Sequence, residues 1–269
     1  MPRSHDRSRR YHDRVARQYD SIYDDPFWDF HDELTWRLIK PHLPRDLSAR
    51  CADLGCGTGK WGFRLLKSGF ATTFLDSAAA MIEQVRGKLE SMGPRKDRAT
   101  LVVGDIVQMP QLESDAFGLV LAMGDPLSIC SDPPRAVREF ARISHPGGIV
   151  IATADNKLAA IDHYVQRGNL DALEAFLRSG RTQWLTADER ERFELTTFTP
   201  ASLRKLFEHV GFEVLDITGK TIVPVRQNKK LLDDPDAVTR LLRIESELAK
   251  DPASAGRAGH LQITAKKKT

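Results

Sequence analysis

Apolar and polar positions along this chain change period several times, and the changes mark its elements. Short runs dense in apolar and β-branched residues recur at 50–54, 71–76, 99–105, 117–123 and 149–154, bounded by glycine, proline or acidic residues. They are too short for helices and read as buried strands. Between them lie stretches with the helical period at 61–67, 77–92 and 133–143. Met81 and Ile82, then Val137, Phe140 and Ile143, face inward. Ser77 is placed to cap the second of these helices, which Gly93-Pro94 ends, and Gly69 closes the first. Strands alternating with helices predict an α/β fold built on a mostly parallel sheet.

The flanks are more helical. Residues 1–10 read as disordered, 11–24 as a short amphipathic helix running into a loop, and 25–28 as a turn. A helix over 30–43 puts Phe30, Leu34, Leu38 and Ile39 on one face, and Pro44 stops it. Beyond the fifth strand, 156–167 and 170–178 read as amphipathic helices joined by Gly168-Asn169. Then come a polar stretch at 182–192 with Trp184 and Leu185, and an extended piece at 194–198. A helix over 201–209, a sixth strand at 212–217, an extended piece at 221–226, a helix over 235–250 and a last strand at 259–266 complete the pattern. No repeat or linker divides the chain. It is expected to be one catalytic domain over 1–269: cap helices at 1–45, a ligand-binding core at 46–154, a helical insertion at 155–196 and the rest of the sheet at 197–269.

Composition narrows the class. Of 269 residues, 41% are hydrophobic and 29% charged, an ordinary balance for a water-borne domain. No apolar run approaches a membrane span, and the first ten residues have no apolar segment of the secretory kind. Cys51, Cys56 and Cys130 show no zinc spacing and cannot all pair; Cys51 and Cys56 read as apolar fillers in a reducing cytoplasm. Net charge is +3, with basic residues gathered at 3–17 and 266–268. These ends are either solvated tails or a docking surface for nucleic acid, but no aromatic residues are interleaved with the last lysines to stack bases.

The chemistry concentrates in residues 51–62, where a strand, a glycine turn and a helix start follow one another. Gly55, Gly57 and Gly59 let a ligand approach the backbone, and the helix aims unpaired N–H groups at it. Gly57, Gly59 and Gly62 also fit the dinucleotide pattern. Asp53 opposes that reading: a carboxylate there repels a pyrophosphate and attracts an ammonium or sulfonium. Asp76 ends the second strand, where a carboxylate can accept bonds from two vicinal hydroxyls, as it does for nicotinamide dinucleotides too. Asp105 ends the third. Three successive strands ending in aspartate discriminate better than the glycines do.

Asp53-Leu-Gly-Cys-Gly-Thr-Gly59 resembles motif I of the class I S-adenosylmethionine (SAM) methyltransferases. Gly104-Asp105-Ile106 resembles their adenine-reading motif, His145-Pro-Gly-Gly148 their Pro-Gly-Gly turn, and Val15 to Asp20 the Val-Ala-x-x-Tyr-Asp opening of small-molecule members. The resemblance implies a Rossmann-like, seven-stranded, mostly parallel sheet with helices on both faces. The last strand would be antiparallel between the fifth and sixth, and a helical lid would follow the fifth. SAM would be the methyl donor, S-adenosylhomocysteine the product, and no metal would be required. Gly55, Cys56, Gly57 and Gly59 would cradle the methionine end, with Asp53 near its amine. Asp76 and Ser77 would hold the ribose with Met81 packed nearby, and Gly104, Asp105 and Ile106 would hold adenine. Met123 and Gly124, with the loop to Leu127, would flank the methyl. Tyr19 and Tyr23 would either close over the cofactor or staple a helix to the core.

Acceptor chemistry falls to Asp125, as general base or as cap of the turn before Pro126, and to His163 and Tyr164 in the insertion, where His163 reads more readily as a packed or surface residue than as a base. Asp125-Pro126-Leu127-Ser128 lacks the second proline and the aromatic of members that methylate base amines, which disfavours nucleic acid. The expectation is therefore transfer of a methyl group to an O, N, S or C nucleophile of a small molecule. The alternatives are an RNA or protein methyltransferase, a SAM-binding protein that transfers nothing and, more distantly, an NAD-dependent oxidoreductase.

Overall fold

A computed structural model describes residues 4–183 and 192–269. In chain order the strands are β1 Arg50–Leu54, β2 Ala71–Asp76, β3 Ala99–Val103, β4 Phe117–Ala122, β5 Ser144–Asp155, β6 Arg181–Gln183, β7 Glu194–Thr196, β8 Phe212–Lys220 and β9 His260–Lys267. Seven of them form one sheet in the order β3-β2-β1-β4-β5-β9-β8. The run from β3 to β5 is parallel, and β9 lies antiparallel between β5 and β8. This matches the expected Rossmann-like architecture. The sheet's order reverses between β1 and β4, which opens a crevice at their carboxyl ends. β6 and β7 pair as a separate hairpin.

The longer helices are α1 Ser4–Val15, α3 Pro26–Ile39, α4 Lys60–Lys67, α5 Ala79–Leu89, α7 Pro133–Ile143, α9 Leu170–Ser179, α10 Pro200–Glu208 and α11 Pro235–Leu248; α2 Tyr19–Ile22, α6 Pro126–Ile129 and α8 Ile161–Gln166 are short. Both faces of the sheet are covered. Val137, Phe140, Leu203 and Phe207 pack from α7 and α10 on one side. Ile39, Trp61 and Leu65 meet Leu119, Leu121 and Ile151 on the other. The central strand β4 is buried at every position, as expected of a strand covered twice. Among the described residues no helix is long and apolar enough to cross a membrane.

Several local expectations are corrected. Residues 4–10, read as disordered, belong to α1, because Tyr11 and Val15 anchor that helix against Ala78 and Met81. The segment read as a turn at 25–28 is the start of α3: the Asp25 side chain accepts from Phe27 N–H (2.8 Å) and Pro26 occupies the first helical position. Ser77 does not cap α5. The Ala78 N–H goes to Asp76 Oδ1 (2.8 Å) and the Ala80 N–H to Asp13 Oδ1 of α1 (3.0 Å). Residues 221–226 form no strand, because the Ile222 and Val223 N–H groups are taken by the Glu245 carboxylate (3.1 and 2.8 Å). Trp184 and Leu185 lie outside the described residues.

In β8 the pairing with β9 shifts between Val214 and Asp216, so Leu215 is an extra residue, a β-bulge.

Candidate functional site

A cavity of about 280 Å³ lies at the carboxyl ends of the parallel strands, walled on its far side by residues of α1, α2 and α3. The glycine turn after β1 and the ends of β2 and β3 form one half of it. Gly55 has a left-handed backbone (φ +63°), and a Cβ there would sit 2.7 Å from the Pro126 Cβ. Glycine is therefore demanded both by conformation and by close approach. The Gly57 N–H donates to Asp76 Oδ2 (2.8 Å), and Tyr19 lies over Gly57 at contact distance. Asp76 thus bonds two backbone N–H groups, one with each oxygen, and burial pushes its carboxyl up. Its remaining lone pairs are free for a ligand. Cys56, Ser77, Gly104, Asp105, Ile106, Met123 and Gly124 line the same space, and Asp105 Oδ1 also accepts from Val107 N–H (3.0 Å).

Three expected members of this end lie elsewhere. Asp53 is fully buried behind the turn, where Oδ2 accepts from Gly62 N–H (2.7 Å) and Oδ1 has no partner. Burial drives its carboxyl up to about 7, helped by the charge of Asp76. Gly59 caps α4 with φ +90° and packs against Phe63 and Val85 rather than the cavity. Met81 sits in the apolar cluster beneath α1.

The segment over the turn is tied down by charge. Asp20 accepts from Thr58 Oγ1 (2.5 Å) and pairs with Lys88 (2.6 Å), and Asp32 pairs with Lys60 (2.5 Å). Those contacts outweigh burial and hold both carboxyls below their ordinary range. Tyr19 and Tyr23 pack on each other (4.9 Å between centroids), and burial raises both phenols. These rings line the cavity.

In the other half, after β4 and next to Pro126, stands Asp125. It occupies the position before α6 with a left-handed backbone (φ +63°), uncommon for a residue with a side chain. Its side chain caps nothing; the Gly124 and Asp125 N–H groups both donate to Thr153 Oγ1 (3.0 and 2.9 Å). The Asp125 carboxylate instead places Oδ2 3.5 Å from His260 Nε2 and leaves Oδ1 without a partner.

His163 and Tyr164 are not at this site. They border a separate hollow beside the β6–β7 hairpin. Arg167 donates to His163 Nδ1 (2.6 Å), while Tyr164 bonds Thr182 Oγ1 (2.7 Å) and stacks on Phe176. Burial and the Arg167 charge lower the His163 imidazole, so it stays a neutral surface group. The insertion packs on itself here and does not present them to the cavity.

The hydrophobic pattern does not reveal a row of polar groups across three strands. Asp155 of β5 is in register with His260 of β9, which is in register with Lys220 of β8. Directly opposed residues project to the same face, so a carboxylate, an imidazole and an ammonium stand side by side. His260 and Lys220 line the cavity. α3 covers this face and adds His31, whose ring meets that of His260 edge-on (5.5 Å). Burial lowers His260, lowers His31 to about 3 and Lys220 to about 8, and raises Asp155, where the Asp125 charge adds to the effect. Asp125, Asp155 and His260 also bring three potential metal-ligating atoms within 4.8 Å of one another. The sequence signal available for this row was the last strand itself: slotted antiparallel beside the fifth, it brings its first residue to the carboxyl edge.

Comparison with known proteins agrees with this layout. A family model described as a methyltransferase domain matches residues 51–148. The chain is 24% identical over 242 residues to the ubiquinone biosynthesis O-methyltransferase of Xylella fastidiosa, covering 84% of this chain and 92% of that one. It is 31% identical over 148 residues to the malonyl-[acyl-carrier protein] O-methyltransferase of Serratia marcescens, about half of each chain (54% and 54%). A solved SAM-dependent methyltransferase of Methanosarcina mazei superposes with a TM-score of 0.61 at 17% identity, over 86% of this chain and 97% of that one, and so shares the fold. Residues 51–148, from the glycine turn through the Pro-Gly-Gly turn, thus carry a methyltransferase domain of the class I SAM-dependent kind.

Proposed function

We propose that the cavity holds SAM at the glycine end and a small-molecule acceptor at the Asp125–His260 end, and that His260 takes the acceptor's proton. The observation that carries this reading is one continuous cleft lined by the Gly55–Gly57 turn and, farther along, by Asp125 and His260. SAM supplies a methyl group already activated by its sulfonium charge. The residues present suit such a ligand: glycines that clear space for its methionine end, a carboxylate ready for vicinal hydroxyls, and a buried Asp53 whose charge a nearby cation would offset. Gly55 and Gly57 position the methionine end, Asp76 the ribose, Asp105 with Ile106 the adenine, and Tyr19 excludes water from above. Holding donor and acceptor in line is worth up to about 7–11 kcal/mol.

The proton goes to His260. With Nε2–H directed at Asp125, the buried ring is neutral and Nδ1 is free to accept. A small acceptor is supported by the cavity's size and by the oxygen-methylating relative aligned along most of the chain. Calorimetric titration with S-adenosylhomocysteine, with NADH as control, tests the cofactor end. Asp76→Ala and Asp105→Ala are each expected to weaken binding by about 1–3 kcal/mol through lost hydrogen bonds. Isotherms unchanged in both variants, or binding of NADH alone, would overturn the assignment.

A further inference from the structure

Lys220 is the group this mechanism leaves unused. Only 2% of its surface is exposed, yet it borders the cavity. Its Nζ donates to Thr35 Oγ1 (3.1 Å), and that hydroxyl is itself spent on the His31 carbonyl (2.8 Å). Among the described residues no carboxylate forms an ion pair with it. An ammonium has three N–H donors, so two are left over in a buried place. Buried charges without a counter-charge are costly and rare. Burial lowers this amine, opposed by the more distant charges of Asp125 and Asp32.

Beside it, His31 is buried and neither ring nitrogen has a hydrogen-bond partner; Nδ1 is 3.5 Å from Asp32 Oδ1. A neutral imidazole adds one more N–H donor to the same wall. Cofactor-facing residues come from β1, β2 and the β3 and β4 ends, whereas Lys220 lies at the end of β8, three strands beyond β4. The unpaired cation thus belongs to the acceptor's half. It also sets this half against a divalent ion at Asp125, Asp155 and His260, because the row already carries positive charge.

We infer that Lys220, with His31, forms a binding site for an anionic oxygen group of the acceptor, so that the molecule methylated here is a carboxylate-bearing one. This rests on the methyltransferase reading, since it assigns the occupant of that half of the cavity. The acceptor's carboxylate would complete the coordination of the ammonium and take a bond from His31, leaving its nucleophile toward His260 and Asp125.

The test uses the full chain saturated with S-adenosylhomocysteine and saturation-transfer NMR with three probe pairs: benzoate and benzamide, phenylacetate and phenylacetamide, hexanoate and hexanamide. The carboxylates are expected to be retained in preference to their amides, and Lys220→Met to reduce that preference on the order of tenfold. Lys220→Met should melt no lower than wild type, because it replaces an unpaired buried charge with an apolar chain of similar shape, and should keep its affinity for S-adenosylhomocysteine. Equal retention of acid and amide, retention of neither, or a preference intact in Lys220→Met overturns the inference. So does clear destabilisation by Lys220→Met, which reveals a protein partner, or its loss of S-adenosylhomocysteine binding, which assigns the lysine to the cofactor. Failure of the wild type to bind S-adenosylhomocysteine defeats the underlying methyltransferase reading instead, so the two failures are distinct.

Discussion

Asp53 carries a carboxyl group with no exposed surface, one bond from the Gly62 N–H and one oxygen facing nothing polar. Burial raises it to about 7 in the folded protein, against roughly 3.9 in an unfolded chain. Between those values the folded state keeps a proton that the unfolded state has released. This contribution to stability is therefore fully present below about pH 4 and is lost as pH rises through 7, opposite to the behaviour of a salt-bridged aspartate. The slope is about 1.4 kcal/mol per pH unit, so about three units give on the order of 4 kcal/mol.

Asp53→Asn removes the titration while its side-chain carbonyl can keep the bond from Gly62. Asp76 and Asp155 are also raised by burial, but they titrate in both proteins and cancel in the difference. Urea denaturation of wild type and variant between pH 4 and 8 should show the variant gaining, relative to wild type, most of that amount as pH rises. A cation bound near the glycine turn favours the charged form of Asp53, so SAM binding at pH 7 should release protons in the wild type and fewer in the variant. Calorimetry in buffers of different ionisation enthalpy reads that number. Parallel stability curves, together with equal proton release, would refute the argument that Asp53 is held protonated by burial.

Other outcomes follow from packing and placement. A Cβ at Gly62 would lie 2.2 Å from Cε1 of the fully buried Phe74, so Gly62→Ala should cost about 1–3 kcal/mol by overpacking; an unchanged urea midpoint would refute it. His260→Gln should slow transfer of a tritiated methyl group from SAM into a small-molecule extract by on the order of 10²-fold, with S-adenosylhomocysteine affinity kept; wild-type transfer would remove His260 from the mechanism. His163→Ala and Tyr164→Phe touch only the hollow by the β6–β7 hairpin and should leave the same rate within about twofold, as expected of surface positions. A large loss in either would mean that the insertion reaches the acceptor.

The half of the cavity around the glycine turn was legible in the sequence because its determinants are local. Glycines, a strand-tip acid and a helix start within a dozen residues specify a turn through backbone conformation alone, and Asp76 and Asp105 stand at the tips of strands whose apolar runs are plain. The differences there concern where side chains go. Asp53 and Gly59 share the motif yet face inward, since adjacent residues of a strand or tight turn point to different sides. In the other half no local motif gave a signal, and only the placing of the last strand pointed there. His31, Lys220 and His260 come from α3, β8 and β9, and only sheet order and register unite them. The apolar pattern ends the sixth strand at Ile217, whereas pairing with β9 carries it on to Lys220 through the polar Thr218. The histidine chosen from the sequence, His163, had composition in its favour and topology against it.

The extra residue in β8 has a further meaning. Before it, Val214 pairs with Ala265; after it, Asp216 pairs with Thr264 and Lys220 with His260. Were Leu215 taken into the ladder opposite Thr264 instead of bulging out, the earlier register would run on, Gly219 would stand opposite His260, and Lys220 would turn to the other face of the sheet. The identity of the group beside the imidazole is thus decided five residues away, about 17 Å along the strand. In evolutionary terms, a single-codon insertion at the half-exposed Leu215, taken into the ladder, could exchange the cation for a glycine without altering any residue that lines the cavity, whereas deletion of Leu215 would only remove the bulge and keep Lys220 opposite His260. Acceptor preference in such a sheet can change by slippage as well as by substitution, and relatives aligned without regard to this bulge would pair the wrong residue with His260.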